Sequence, residues 1–381
     1  KQEDLIYMLF NFDFRYYNFR LLIEIMLLNI IGVLVLRSAS NMDAAVVTKQ
    51  IIGIAVGFLF AIGLSLIDYH RIANLSTLIY IGCIVFLAAV LLFGKFVSGA
   101  TRWIVLPGIG QVQPSEFTKI GLIVFFSWYF NKYQERLNQP VVLGISLVLF
   151  SVPVLLILAE PSLSTSIIII LIFLAMLYVA GLSYKWIGGA LAVVIPAGAL
   201  FVYLLQYEMI PFLEGYQANR ILAFVFPTDP RYQDSNMQQD NSLIAIGSGQ
   251  LMGKGLNNTT IASVKNGNFL SQEQTDFIFA VIGEELGFRG VMIVLALYFA
   301  IIFEIIHLAS KAKDMTGRLI CVGMAALIGF QSFINIMVAT KMMPNTGQPL
   351  PFISAGISSL LSIYIGIGLV LNVGLQRKNA H

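Results

Sequence analysis

Val141-Val-Leu-Gly-Ile-Ser-Leu-Val-Leu-Phe-Ser-Val-Pro-Val-Leu-Leu-Ile-Leu-Ala159 runs for nineteen residues without a charge. A helix of about 20 apolar residues crosses the hydrocarbon of a bilayer, and lipid forces every backbone polar group to be satisfied within the segment. Working outward, the same pattern returns at Leu21–Leu36, Ile51–Ile67, Thr77–Phe93, Lys119–Phe130, Thr165–Gly181, Trp186–Leu205, Gly290–Ala309, Arg318–Ala339 and Gly356–Leu375, ten runs in all. The fourth is short, which puts its start earlier, near Gln113. None alternates with the period of two that barrel strands need. The 381 residues are 58% hydrophobic and only 11% charged, with a mean hydropathy of +0.83. Soluble domains carry about 25% charge. The expected fold is an all-α polytopic membrane protein with about ten transmembrane helices.

Short connections orient such a bundle, because Lys and Arg accumulate on the cytoplasmic side. With the N-terminus on side one, that side holds twelve Lys and Arg, among them Arg20, Arg71, Lys132, Arg136, Lys185 and Lys311; side two, its long loop left out, holds six. Both termini are therefore expected in the cytoplasm. The long polar interval 206–288, between spans seven and eight, is expected as one large extracytoplasmic loop. The first run is a full span with no small-residue motif after it, so no cleaved signal peptide is expected. Residues 1–381 form one integral membrane domain. A net charge of +3 without a dense basic run gives no sign of nucleic-acid binding. Cys83 and Cys321 lie in apolar runs and are read as buried thiols.

Polar detail gathers in three outer segments: 96–119, the long loop, and 341–359. By the topology above they share one side of the membrane, where they can meet in a single cleft. Pro114 suits the first turn of a helix, and Glu116 and Lys119 stand one turn apart; they form a local ion pair, or Lys119 and Arg102 face an anionic ligand. The glycines of 247–255 mark either backbone that approaches a ligand or a flexible surface loop. Asp276 precedes the apolar Phe277-Ile-Phe-Ala-Val-Ile. It caps a helix there, with Ser271 and Gln274 at capping-box spacing, or it is a partly desolvated base. Glu284 and Glu285 lie in the same apolar stretch, where ionisable groups are functional candidates unless they pair or cap. Asn335 bridges helices on the ordinary reading. The Pro/Gly run 344–356 is not a regular helix. No His has a metal-ligand partner at useful spacing, and no nucleophilic Ser or Cys motif occurs.

Seven motifs then stand in one order: Arg102-Trp103; Gln113-Pro-Ser-Glu-Phe-x-Lys119; Tyr216-Gln217-x-x-Arg220; Ala245-Ile-Gly-Ser-Gly249 with Gly253-Lys-Gly255; Thr275-Asp-Phe-Ile-Phe-Ala280 with Gly283-Glu-Glu-Leu-Gly287; Gln331-x-x-x-Asn335; and Pro344-x-Thr-Gly-x-Pro-Leu-Pro-Phe-Ile-Ser354 with Gly356-x-Ser-Ser359. Together the chain resembles the shape, elongation, division and sporulation (SEDS) family, the RodA/FtsW group. Glu160-Pro-Ser-Leu-Ser164, where the family more often reads Gln-Pro-Asp-Leu-Gly, departs from it; so do Gln274, Ala355 and Ile357.

The resemblance implies a peptidoglycan glycosyltransferase that polymerises lipid II in the bacterial cytoplasmic membrane. It carries the catalytic role onto Asp276, and it sets Arg102, Glu116, Lys119, Arg220, Lys341, Ser354 and Ser358 along the substrate cleft on the extracytoplasmic side. A class B penicillin-binding transpeptidase is the implied partner, and membrane lipid the surroundings. A divalent cation, Mg or Mn, can share the phosphate charge; no dedicated ligand set for it is seen, and no organic cofactor is expected. The competing function is a flippase or transporter for the same lipid, to which Glu284 and Glu285 would be useful.

Overall fold

Each of the ten apolar runs is a helix in a computed structural model of the chain, which describes residues 16–40, 42–97, 100–106, 110–207, 215–257, 270 and 272–376. In chain order they begin with α1 (Phe19–Ala39) and α2 (Ala44–Ser65). After the short α3 (Tyr69–Asn74) come α4 (Ser76–Phe93), α5 (Pro114–Lys132), α6 (Pro140–Ala159), α7 (Leu163–Val179) and α8 (Tyr184–Gln206). Two helices of the outer interval follow, α9 (Gly215–Val225) and α10 (Gln233–Ser248), then α11 (Ile278–Lys311), α12 (Met315–Ala339) and α13 (Ile357–Leu375). Seven of these are long and apolar enough to cross a membrane. Side-chain caps set several starts: Asn18 accepts from Leu21 N–H at 3.0 Å, Asp43 from Ala45 at 2.8 Å and Asp314 from Gly317 at 3.0 Å. Pro114 and Pro140 open α5 and α6, where a missing N–H costs nothing. The fourth span thus begins where its short apolar run suggested.

The most enclosed helices are α5, α12 and α13. α13 packs on α2, and α12 on α5, α7 and α11. α5 is less apolar than its neighbours because its polar residues are satisfied inside the bundle: Lys119 by Glu116, Ser127 by the Ile123 carbonyl. The outer helices turn bare apolar side chains outward, with Leu59, Leu92, Phe93 and Phe299 each more than two-thirds exposed. In water such a surface would drive association; in hydrocarbon it is the solvated face.

Three features depart from the simple reading. A small antiparallel sheet, β1 (Lys95–Val97), β2 (Ala100–Leu106) and β3 (Gly110–Val112), joins α4 to α5, with Phe96 opposite Thr101 and Val105 opposite Gln111. The β-branched and aromatic run Thr101–Val105 favours it. The outer interval is also not one loop, since α9 and α10 lie within it. Finally, α11 is broken at Gly287, whose φ of 64° and ψ of −167° are not helical. Ile278–Leu286 is therefore a separate half-helix, and its residues up to Glu285 are buried.

The glycines of 247–255 belong to that break. A Cβ on Gly249 would stand 1.9 Å from the Gly283 carbonyl oxygen. Lys254 and Gly255 donate their N–H groups to the Glu284 and Glu285 carbonyls at 2.9 and 3.0 Å. Phe288 and Arg289 donate theirs to the carbonyls of Gln250 and Leu251 at 2.8 and 3.3 Å. The backbone freed at the kink is thus satisfied by residues 250–255, which follow α10, as a low-dielectric site demands. Gly249 and Gly253 thus serve close backbone packing, since a Cβ on Gly253 would stand 2.1 Å from the Glu285 carbonyl oxygen. The two acids are engaged here as well: Glu284 pairs with Lys254 at 2.7 Å, and Glu285 accepts from Ser38.

Candidate active site

The three outer segments do meet. A cleft of about 230 Å³ is lined by Arg102 on β2, Glu116 on α5, Arg220 on α9, Asp276 before the half-helix, Gly347 in the 344–356 segment and Ser358 on α13. Ser162, from the turn between α6 and α7, adds a fourth contributor that the sequence did not single out. A separate apolar cavity of about 290 Å³ lies along α5, lined by Cys83, Phe86, Phe117, Gly121 and Leu369 among others. It offers no acid, base or cation, so chemistry belongs to the first cleft.

Asp276 does not cap a helix. The N-cap of the half-helix is Phe277, with no side-chain cap bond; Ser271 lies outside the described residues. The Asp276 carboxyl keeps partial exposure to the cleft while protein crowds its other sides. Burial pushes it up to about 6, against the opposing pull of the Arg220 and Arg102 guanidiniums and a hydrogen bond from Thr275. Gly347 makes room for it: a Cβ there would lie 2.7 Å from Asp276 Oδ2 and 4.0 Å from Arg220 Nη1. Gly347 also has a φ of 64°, in the left-handed region.

The irregular 344–356 segment is held by side chains from the helices around it. Asn335 Nδ2 donates to the Gln348 carbonyl at 2.6 Å and to the Asp276 carbonyl at 2.8 Å. Gln331 Nε2 reaches the Pro349 carbonyl at 2.9 Å, Ser164 Oγ the Thr346 carbonyl at 2.7 Å, and Tyr298 OH the Pro351 carbonyl. Ser354 Oγ donates to the Thr275 carbonyl at 2.6 Å and accepts from Leu350 N–H, while Ala355 N–H reaches the Gln274 carbonyl at 2.9 Å. Asn335 therefore joins a helix to two loops rather than to another helix. Of these residues Gln348 and Tyr298 carried no sequence signal, and Ser164 stood out only as a departure from the family pattern; their use depends on which carbonyls the fold strips of partners.

The expected site residues divide into three groups. Arg102, Glu116, Arg220, Asp276 and Ser358 line the cleft. Arg102 is anchored by the Glu160 carbonyl at 3.0 Å and by the Pro161 carbonyl. Ser358 accepts from Gln113 N–H at 3.2 Å, tying α13 to the start of α5. Lys119 and Ser354 stand behind the wall. Lys119 is 1% exposed, with Nζ 2.8 Å from both Glu116 Oε1 and Gln331 Oε1; a cation so enclosed supports the wall and does not meet a ligand in this conformation. Lys341 is not in the cleft, because it pairs with Asp240 at the edge of α10.

Fold and site define an all-α polytopic membrane protein with two carboxyls, Asp276 and the Lys119-paired Glu116, and two guanidiniums in a cleft where its polar segments meet. A family model described as "Cell cycle protein", covering FtsW, RodA and SpoVE, matches residues 18–379. The chain belongs to this family. It is 35% identical to the peptidoglycan glycosyltransferase MrdB of Escherichia coli (strain K12), over 94% of this chain and 93% of that one. It is 30% identical to the probable peptidoglycan glycosyltransferase FtsW of Geobacter sp. (strain M18), over 96% and 98%. Among solved structures, the Thermus thermophilus rod shape determining protein RodA superposes with a TM-score of 0.70 at 26% identity, covering 97% of this chain and 98% of that one. A chain from a peptidoglycan synthase complex that coordinates polymerization and crosslinking superposes with a TM-score of 0.77 at 27% identity, over 94% and 97%.

Proposed function

We propose that this chain is a peptidoglycan glycosyltransferase that polymerises lipid II at the outer face of the bacterial cytoplasmic membrane. The observation that carries the chemistry is Asp276, with a carboxyl near neutrality, facing the same cleft as Arg102 and Arg220. One lipid-linked disaccharide is the donor, and the 4-hydroxyl of another is the acceptor. Asp276 takes the hydroxyl proton as the oxygen attacks the donor anomeric carbon. The bond from that carbon to the diphosphate breaks, and the diphosphate leaves with the electron pair. Its leaving group is already acidic, so it needs cations more than a proton donor; this is why one carboxyl suffices where a glycosidase uses two. Arg102 and Arg220 neutralise the departing charge. A single in-line attack converts an α-linked donor into a β-linked product.

The prenyl tails stay in the bilayer. α5 presents Glu116 to the polar cleft and Phe117 and Gly121 to the apolar cavity beside it, so one helix separates a place for the head group from a place for a tail. Among the described residues no group of three or more His, Cys, Asp or Glu side chains is placed to hold a metal. A divalent cation bound in the cleft would take most of its ligands from the diphosphate and water. A class B penicillin-binding transpeptidase is the proposed partner. Transport loses the acids that favoured it, because Glu284 and Glu285 are engaged by Lys254 and Ser38.

Proteoliposomes carrying the purified chain separate the two activities. Lipid II supplied in the outward-facing leaflet is expected to become long glycan without translocation of a labelled lipid. Movement of the label across the bilayer with no glycan formed would support the transporter instead.

A further inference from the structure

One carboxyl beside the cleft has no part in the mechanism above. Glu160 follows the last turn of α6, and its side chain is fully buried. Among the described residues neither carboxyl oxygen has a hydrogen-bond partner. Its backbone carbonyl, with that of Pro161, is the seat of the Arg102 guanidinium. Ser162, two residues on, lines the cleft with Arg102 and Asp276. The 160–162 turn therefore holds a phosphate-facing cation by its carbonyls and encloses an unpartnered acid in the same place.

A buried carboxylate without hydrogen bonds is costly, and the neutral acid costs less. Burial pushes the Glu160 carboxyl up to about 8, against the pull of Arg102. Arg102, on β2, is the charged group that acts on it. α5 brings Glu116 and Lys119 to the region, but they pair with each other at 2.8 Å. α7 and the 344–356 segment carry no charged side chain, and Asp276 and Arg220 line the cleft from other elements.

We propose that Glu160 is a positioning residue for Arg102 that works in its protonated form. Neutral, it leaves the guanidinium on the 160–161 carbonyls and available to a diphosphate. Once it loses its proton to solvent, its buried carboxylate competes with the diphosphate for that guanidinium. The inference rests on the reading that Arg102 binds the diphosphate.

The test measures the affinity of the full chain in detergent for farnesyl diphosphate and for lipid II between pH 7 and 9.5, beside Glu160→Gln and Arg102→Gln. Losing one charge-assisted contact weakens binding about tenfold. Wild-type affinity is expected to fall by about that factor as pH passes 8, and kcat/KM for lipid II with it. Glu160→Gln should stay flat and tight. Arg102→Gln should bind weakly at every pH and show no step, which keeps the test decisive if the Glu160→Gln substitution disturbs folding; melting temperatures of both variants report that. An equal step in wild type and Glu160→Gln, or no step or no diphosphate binding in wild type, overturns the proposal. A failure of the polymerase reading looks different: the step in diphosphate binding persists, and lipid II yields no glycan.

Discussion

Asp276, the proposed base, is subject to opposed influences at one carboxyl. Burial raises it, Arg220 and Arg102 lower it, and the balance lies at about 6. A base works deprotonated, so kcat/KM for lipid II should be level from there to pH 7.5 and fall about tenfold per unit below pH 6. A rate profile from pH 4.5 to 7.5 checks the limb, and a profile flat down to 4.5 would assign the proton elsewhere. Gly347 sets the room around the carboxyl. Gly347→Ala adds a Cβ 2.7 Å from Asp276 Oδ2 at a φ of 64°. It should destabilise the chain by about 1–2 kcal/mol and lower kcat more than it raises KM. Steady-state kinetics and thermal melts of that variant decide the point.

At the scale of elements, α5 and α12 are joined by a buried relay from Glu116 through Lys119 and Gln331 to the Pro349 carbonyl. Removing one member of a buried ion pair typically costs about 3–5 kcal/mol, because its partner is left charged. Lys119→Met should therefore lower the melting temperature sharply, and Lys119→Met with Glu116→Gln should recover much of the loss. Additive losses would mean that the pair is not coupled. The half-helix 278–286 makes a similar demand on α10. Gly249→Val places side-chain atoms against the Gly283 carbonyl, which a Cβ alone would meet at 1.9 Å. It should displace the segment that carries Asp276 and reduce polymerisation without touching the cleft. Hydrogen exchange at residues 276–289 would report the displacement.

These elements also mark how far the sequence could be read. Runs of apolar residues locate helices because lipid leaves the backbone no other partner, so all ten were legible. So was the meeting of three outer segments, since their polarity and shared side were both visible. Gly287 was not, because nothing in Glu284-Glu-Leu-Gly-Phe-Arg289 distinguishes a glycine that breaks a helix from one that sits inside it. Lys119 and Arg102 looked alike as cations near a helix start. Only packing distinguishes the one enclosed by Glu116 and Gln331 from the one seated at the cleft. Lys341 was misplaced for a similar reason: Asp240, its partner, is a hundred residues away along the chain.

At the scale of the molecule, the cleft with Asp276, Arg102 and Arg220 belongs to a bundle whose flanks are bare apolar side chains. A prenylated substrate need not leave the bilayer to reach such a site. The most direct test is glycan synthesis from lipid II by purified Asp276→Asn, with lipid II binding and melting temperature measured on the same sample. Loss of a general base typically lowers the rate by about two to four orders of magnitude. The mechanism predicts a loss of that size with binding and folding retained. Chain formation at the wild-type rate by a folded Asp276→Asn protein would contradict it.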